Sequence, residues 1–145
     1  MASTTSDNYT QVPFMGEYGN KAVAFAEKAN LGTLAAGDTI DLFRLPTGAR
    51  VMSGRVIIAT AVTTATLTIG VRYADGTSTG GTTGTAVMSG TGVALTTALA
   101  PQQLNFQPFR NDADTIVYAT APNIAAPGAN IKLTVEVDYI PTGTP

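Results

Sequence analysis

Residues 131–139 alternate without a fault: Ile131, Leu133, Val135, Val137 and Tyr139 are apolar, and Lys132, Thr134, Glu136 and Asp138 between them are polar. A period of two places successive side chains on opposite faces of an extended strand, whereas an amphipathic helix repeats its apolar positions every three or four residues. Such a strand does not stand alone. Burying each of its five apolar side chains is worth roughly 1.5–3 kcal/mol. Ordering each residue costs about 1.5 kcal/mol. The segment about breaks even by itself and must pair and pack inside a sheet.

The same period recurs along the chain. Ala65, Leu67, Ile69 and Val71 face one way, and Thr64, Thr66 and Thr68 the other. Ile40 and Leu42 share a face, with Thr39 and Asp41 expected on the solvent side. Residues 50–59 carry the β-branched run Val56, Ile57 and Ile58, and Gly54 marks a bulge or a close approach. Residues 115–119 read as a strand. Residues 86–88 and 93–95 read as short strands divided by Gly90 and Gly92, and residues 103–107 alternate until Pro108, which suits an edge or a strand end. In residues 21–28, Val23 and Phe25 alternate with alanines; the segment is uncapped and short for a helix, and it is taken as a strand. Turns fall at Pro46-Thr47-Gly48, at residues 111–114 and at residues 126–130. The Gly/Thr-rich residues 75–84 cannot bury apolar surface and form an exposed loop.

About eight strands separated by turns every 8–12 residues, with no long helix and no fixed repeat, predict an all-β fold: a single antiparallel β-sandwich, jelly-roll-like or immunoglobulin-like. The sandwich is expected over residues 21–145. Residues 1–20 lack any apolar period and read as an extended N-terminal arm. Tyr9, Phe14, Met15 and Tyr18 are spaced through that arm, and they are the candidate contacts to a partner or a neighbouring subunit.

Chemistry is poorly supplied. There is no Cys and no His, which removes thiolate nucleophiles, disulfides, the commonest general base and the commonest metal ligand. The carboxylates Asp112 and Asp114 form only a fragment of a calcium loop, without its Gly or distant Glu, and their expected role is turn capping. Gly80-Gly81-Thr82-Thr83-Gly84 has no Lys behind it and is no phosphate loop. Arg44, Arg50, Arg55 and Arg72 could form a basic stripe, but a net charge of −2 gives no electrostatic footprint for nucleic acid. No apolar run is long enough for a membrane span, and the polar opening residues lack the pattern of a secretory signal. The expectation is a non-enzymatic protein with no cofactor and no metal. Only 12% of residues are charged, against about 25% in ordinary domains, and threonine fills the outward positions. A threonine hydroxyl is cheaper to desolvate than a charge, and edge strands left in water are usually guarded by charge. Such a surface is suited to burial against other proteins.

Residues 37–51 (Gly37-Asp38-Thr39-Ile40-Asp41-Leu42-Phe43-Arg44-Leu45-Pro46-Thr47-Gly48-Ala49-Arg50-Val51) together with Asn111-Asp112-Ala113-Asp114-Thr115-Ile116-Val117-Tyr118, Gly128 and residues 132–139 resemble small virion structural proteins of tailed bacteriophages, especially capsid decoration (cement) proteins. The resemblance covers roughly residues 37–73 and 111–140. It implies a β-sandwich on the outer face of an assembled capsid, commonly a homotrimer, that clamps adjacent major capsid subunits. It also implies a virion location after synthesis in the host bacterial cytoplasm, with no nucleic-acid or membrane partner. It carries over no catalytic residue. The alternative is a host- or glycan-binding module of a phage tail or fibre, with the Gly/Thr loop and Tyr73 as its contacts.

Overall fold

A computed structural model describes residues 2–6, 21–62, 65–75, 88–89, 92–122 and 131–141. Among the described residues, ten strands form two facing sheets: β1 (Ser3–Thr5), β2 (Ala22–Lys28), β3 (Thr39–Leu45), β4 (Arg50–Ile58), β5 (Thr66–Tyr73), β6 (Val93–Ala94), β7 (Gln102–Gln103), β8 (Phe109–Arg110), β9 (Thr115–Thr120) and β10 (Leu133–Ile140). One sheet runs β1-β3-β9-β5-β6. The other runs β2-β10-β4-β7, with β8 also on β4. The long strands from β2 to β5 alternate between the sheets. β9 then enters between β3 and β5, and β10 between β2 and β4. The β-sandwich expected from the sequence is therefore present, with more strands than eight because four pieces are only two or three residues long. β1 departs from the antiparallel rule, lying parallel to β3 with Thr4 opposite Ile40.

The inner faces follow the alternation. Ile131, Leu133, Val135, Val137 and Tyr139 are all buried, as are Ala65, Leu67, Ile69 and Val71. They join Ile40, Leu42, Leu45, Val51, Val56 and Ile58 in one core between the sheets. Two bulges reset the phase. Asp41 pairs with Tyr118 and Phe43 with Val117, so Leu42 is an extra residue in β3, and Leu42 and Phe43, adjacent in sequence, are both buried. In β4, Ser53 pairs with Asp138 and Val51 with Tyr139, leaving Met52 as the extra residue. A bulge of this kind bends and twists the strand locally.

Gly54 is a point of close approach. A Cβ there would meet Leu104 Cδ1 at 2.8 Å and the Glu136 carbonyl oxygen at 3.1 Å. The residues expected to form a strand at 103–107 explain why. Only Gln102 and Gln103 pair with β4. Past that pairing, Leu104 N–H bonds Gly54 O at 2.8 Å, and the buried Leu104 side chain lies over the glycine. Pairing resumes at Phe109–Arg110, so β7 and β8 are two pieces of one edge, separated by residues 104–108, and Pro108 directly precedes the point where pairing resumes rather than ending a strand. Phe106 and Phe109 pack edge to face at 5.9 Å on the margin of the core.

Two substitutions test this packing by chemical denaturation. Gly54→Ala is expected to lose about 1–3 kcal/mol, because the Glu136 carbonyl belongs to a central strand that cannot move aside. Thr115 Oγ1 is buried with no hydrogen-bond partner, so Thr115→Val, which exchanges the hydroxyl for a methyl group of similar shape, is expected to gain about 1 kcal/mol.

Candidate interaction surface

The outer face of the β2-β10-β4 sheet is built in rows by register. Val23, Asp138 and Ser53 form one row, and Phe25, Glu136 and Arg55 the next. Lys21 Nζ lies 3.0 Å from Asp138, Ser53 Oγ donates to Asp138 at 2.9 Å, Arg55 pairs with Glu136, and Lys132 Nζ lies 3.0 Å from Glu27. This corrects the expectation of a threonine-clad, unguarded outside: this face is laced with ion pairs. Exposed pairs of this type add at most about 1 kcal/mol each; they keep an edge sheet soluble.

Within that face β2 is inverted. Ala22, Ala24 and Ala26 point into the core, while Val23 and Phe25 are each 50% exposed. The small side chains let β2 lie close to the opposite sheet, and the large ones are displayed outward beside the ion pairs.

The β3-β9-β5 sheet does carry threonine, in the row Thr39, Thr120 and Thr68. The next row differs. Asp41, expected in solvent, is buried: Arg72 Nη2 reaches both its carboxylate oxygens, at 2.5 and 2.6 Å. The Arg72 guanidinium lies over the Tyr118 ring, 5.2 Å from its centroid, an arrangement that favours a cation over the aromatic face. Gly70, in register with Tyr118, adds no side chain to that row. The arginines make no stripe. Arg44 and Arg72 lie on one sheet, Arg50 and Arg55 on the other, and Arg55 and Arg72 are engaged by carboxylates.

The end of the sandwich near residues 46–49 is tied together by polar groups. Asp114 Oδ1 accepts from both Thr47 N–H and Thr47 Oγ1 at 2.9 Å. Gly48 N–H bonds Asn111 O, and Asn111 N–H bonds Ala49 O, each at 2.9 Å. Gly48 sits at φ 84°, a backbone conformation that glycine adopts without a Cβ clash. Asp114 therefore caps a turn distant in sequence, the role expected of it. Asp112 instead accepts from the Tyr73 hydroxyl at 2.6 Å. That hydrogen bond, followed by desolvation and the charges of Asp112 and Asp75, raises the Tyr73 phenol above its ordinary value; burial alone raises Tyr139. Among the described residues, no three acidic, His or Cys side chains gather as metal ligands.

Tyr9, Phe14, Met15 and Tyr18 lie outside the described residues, as does most of the Gly/Thr loop. The start of the arm is described. β1 extends the sheet beyond β3, Ser6 is buried, and its hydroxyl donates to the Leu42 carbonyl.

The sequence matches no protein-family model and no curated protein. Solved structures give a match of fold. A chain in the capsid of Ralstonia phage GP4 aligns with a TM-score of 0.71 at 16% identity, covering 99% of this chain and 100% of that one. A chain in the capsid asymmetric unit of cyanophage Pam1 aligns at 0.62 and 24% identity, covering 93% and 92%. One in the acid-stable capsid of Helicobacter pylori bacteriophage KHP30 aligns at 0.52 and 19%, covering 91% and 92%. Each alignment runs nearly end to end in both chains, so the matched chains are about as long as this one.

The Tyr73–Asp112 contact has a pH signature. The phenol is held above its unfolded value of 10.0, so its contribution to stability is complete below that pH and is lost as pH climbs through the raised value. In Asp112→Asn, ultraviolet titration with Tyr73→Phe as the reference is expected to show Tyr73 ionising at lower pH than in the unsubstituted protein.

Proposed function

We propose that the chain is a non-enzymatic structural component of a bacteriophage particle: a capsid decoration protein that binds the outer surface of the assembled shell and clamps adjacent major capsid subunits. The observation that carries this reading is the end-to-end likeness of fold to similarly short chains in three phage capsids. Three features of the chain agree with it. It has no Cys or His. The carboxylates singled out in the sequence, Asp112 and Asp114, hold a tyrosine and a turn. Its outer faces display Val23 and Phe25 beside solubilising ion pairs.

In this reading the rigid sandwich is the body and the arm supplies further contacts through Tyr9, Phe14, Met15 and Tyr18. A homotrimer is the favoured state, because three linked copies bind a repeating shell far more tightly than one without any new contact. The location is the virion surface, after synthesis in the host cytoplasm.

Electron cryomicroscopy of the parent particle is the direct test. The expected result is density for this chain at repeated positions outside the shell. Confinement to a tail or fibre would favour the host- or glycan-binding alternative, and absence from the particle would defeat both. Exchanging Tyr9, Phe14, Met15 and Tyr18 together for serine is expected to leave the melting temperature unchanged and to lower occupancy on stripped particles; unchanged occupancy would remove the arm from the interface.

A further inference from the structure

Two arginines, at the start of β4 and in β8, face each other. Arg50 stands in register with Arg110 on one side and with Ile140 of β10 on the other. Their chain neighbours Val51 and Phe109 also pair, and both turn to the core. Alternation therefore puts Arg50 and Arg110 together on the outer face of the sheet, where both are exposed. Like charges placed directly opposite each other across a ladder destabilise it.

Among the described residues nothing offsets this repulsion. Lys21, Arg55, Arg72 and Lys132 each lie against a carboxylate, but neither Arg50 nor Arg110 has one within ion-pair distance. The acidic residues that follow Arg110 most closely in sequence are turned to other donors: Asp112 accepts from the Tyr73 hydroxyl, and Asp114 from the N–H and hydroxyl of Thr47. Residues 142–145, beyond β10, contain no acidic side chain. A chain with a net charge of −2 thus keeps two positive side chains adjacent and unneutralised at one end of its ion-paired face. Directly opposed residues have Cβ atoms about 5 Å apart. From that separation two long arginine side chains can close on one carboxylate from both sides, each giving charge-assisted N–H bonds.

We propose that Arg50 and Arg110 form a clamp for an acidic side chain, Asp or Glu, on the shell-forming protein. The identity of the partner rests on the virion reading above; the carboxylate chemistry rests on the two arginines. A carboxylate seated between the guanidinium groups removes their mutual repulsion and gives each a partner. A second copy of this chain fits less well. Its Glu27, Asp41, Asp112, Asp114, Glu136 and Asp138 are already engaged by donors of their own, and a two-fold contact through this row would gather four guanidinium groups. Nucleic acid also fits less well: a polyanion is held by many cations, and here there are two, on a chain that is acidic overall.

The double variant Arg50→Gln/Arg110→Gln and the single variant Arg110→Glu test the clamp. Three quantities are read: melting temperature, oligomeric state by light scattering, and affinity for parent particles stripped of this protein, at about 0.05 and 0.3 M NaCl. Both variants are expected to keep or raise the melting temperature, since each removes the like-charge contact. Native attachment is expected to weaken at least about threefold at the higher salt. At the lower salt the double variant is expected to bind roughly 10- to 100-fold more weakly, with the salt dependence largely gone. A lower melting temperature in both variants would make the arginines structural and overturn the proposal. Native-like attachment by the double variant would overturn it while leaving the virion reading intact. A change of oligomeric state with attachment preserved would assign the clamp to a second copy and likewise overturn it. Failure of the native protein to bind stripped particles would count against the virion reading itself, and the clamp is then decided by NMR titration with a short polyglutamate peptide. Shifts of the Arg50 and Arg110 Nε–H signals would uphold it; no shifts, or larger ones with oligothymidylate at the same concentration, would overturn it.

Discussion

Each sheet is held together by its middle strand. β10 is hydrogen-bonded to β2 on one side and β4 on the other along nearly its whole length, and β9 does the same for β3 and β5. Without them each sheet would separate into pieces: β3 would keep only β1, β5 only β6, and β4 only β7 and β8, while β2 would lose its pairing to the sheet. A strand with two neighbours satisfies all its backbone groups inside the ladder, and its inner face meets the opposite sheet. The most regular alternation in the sequence therefore belongs to the strand on which pairing and packing both depend.

The surfaces follow from that frame. With the core filled by residues from both sheets, the outward positions are free to differ by region: ion pairs across β2, β10 and β4, an arginine laid over a tyrosine on the other sheet, and a polar clasp between turns at one end. None of these assembles reactive groups.

How much of this the sequence discloses depends on what each pattern encodes. Alternation marks residues 65–71 and 131–139 as half-buried strands and names their inner residues, because the apolar set there is also the larger set. It fails for β2, where periodicity separates two faces without saying which one is inside; the alanines face inward because close sheet packing favours small side chains there. The bulges at Leu42 and Met52 leave no local mark, since each arises from pairing with a distant strand. Asp41 reads as solvent-facing because its partner, Arg72, is remote in sequence. The broken edge strand is only half legible: the sequence puts a strand through residues 103–107 with Pro108 at its end, whereas the break falls at residues 104–108, where Leu104 packs on Gly54, and pairing resumes right after the proline.

The central placement of β9 and β10 bears on how the molecule comes into being. A ribosome delivers β2, β3, β4 and β5 before either strand that must lie between them, so the nascent chain holds two unfinished ladders with open inner edges. Long-range pairing of this kind is slow and leaves sticky intermediates. The finished outer faces of both sheets exist only once both gaps are filled, that is, after the last strand has been delivered.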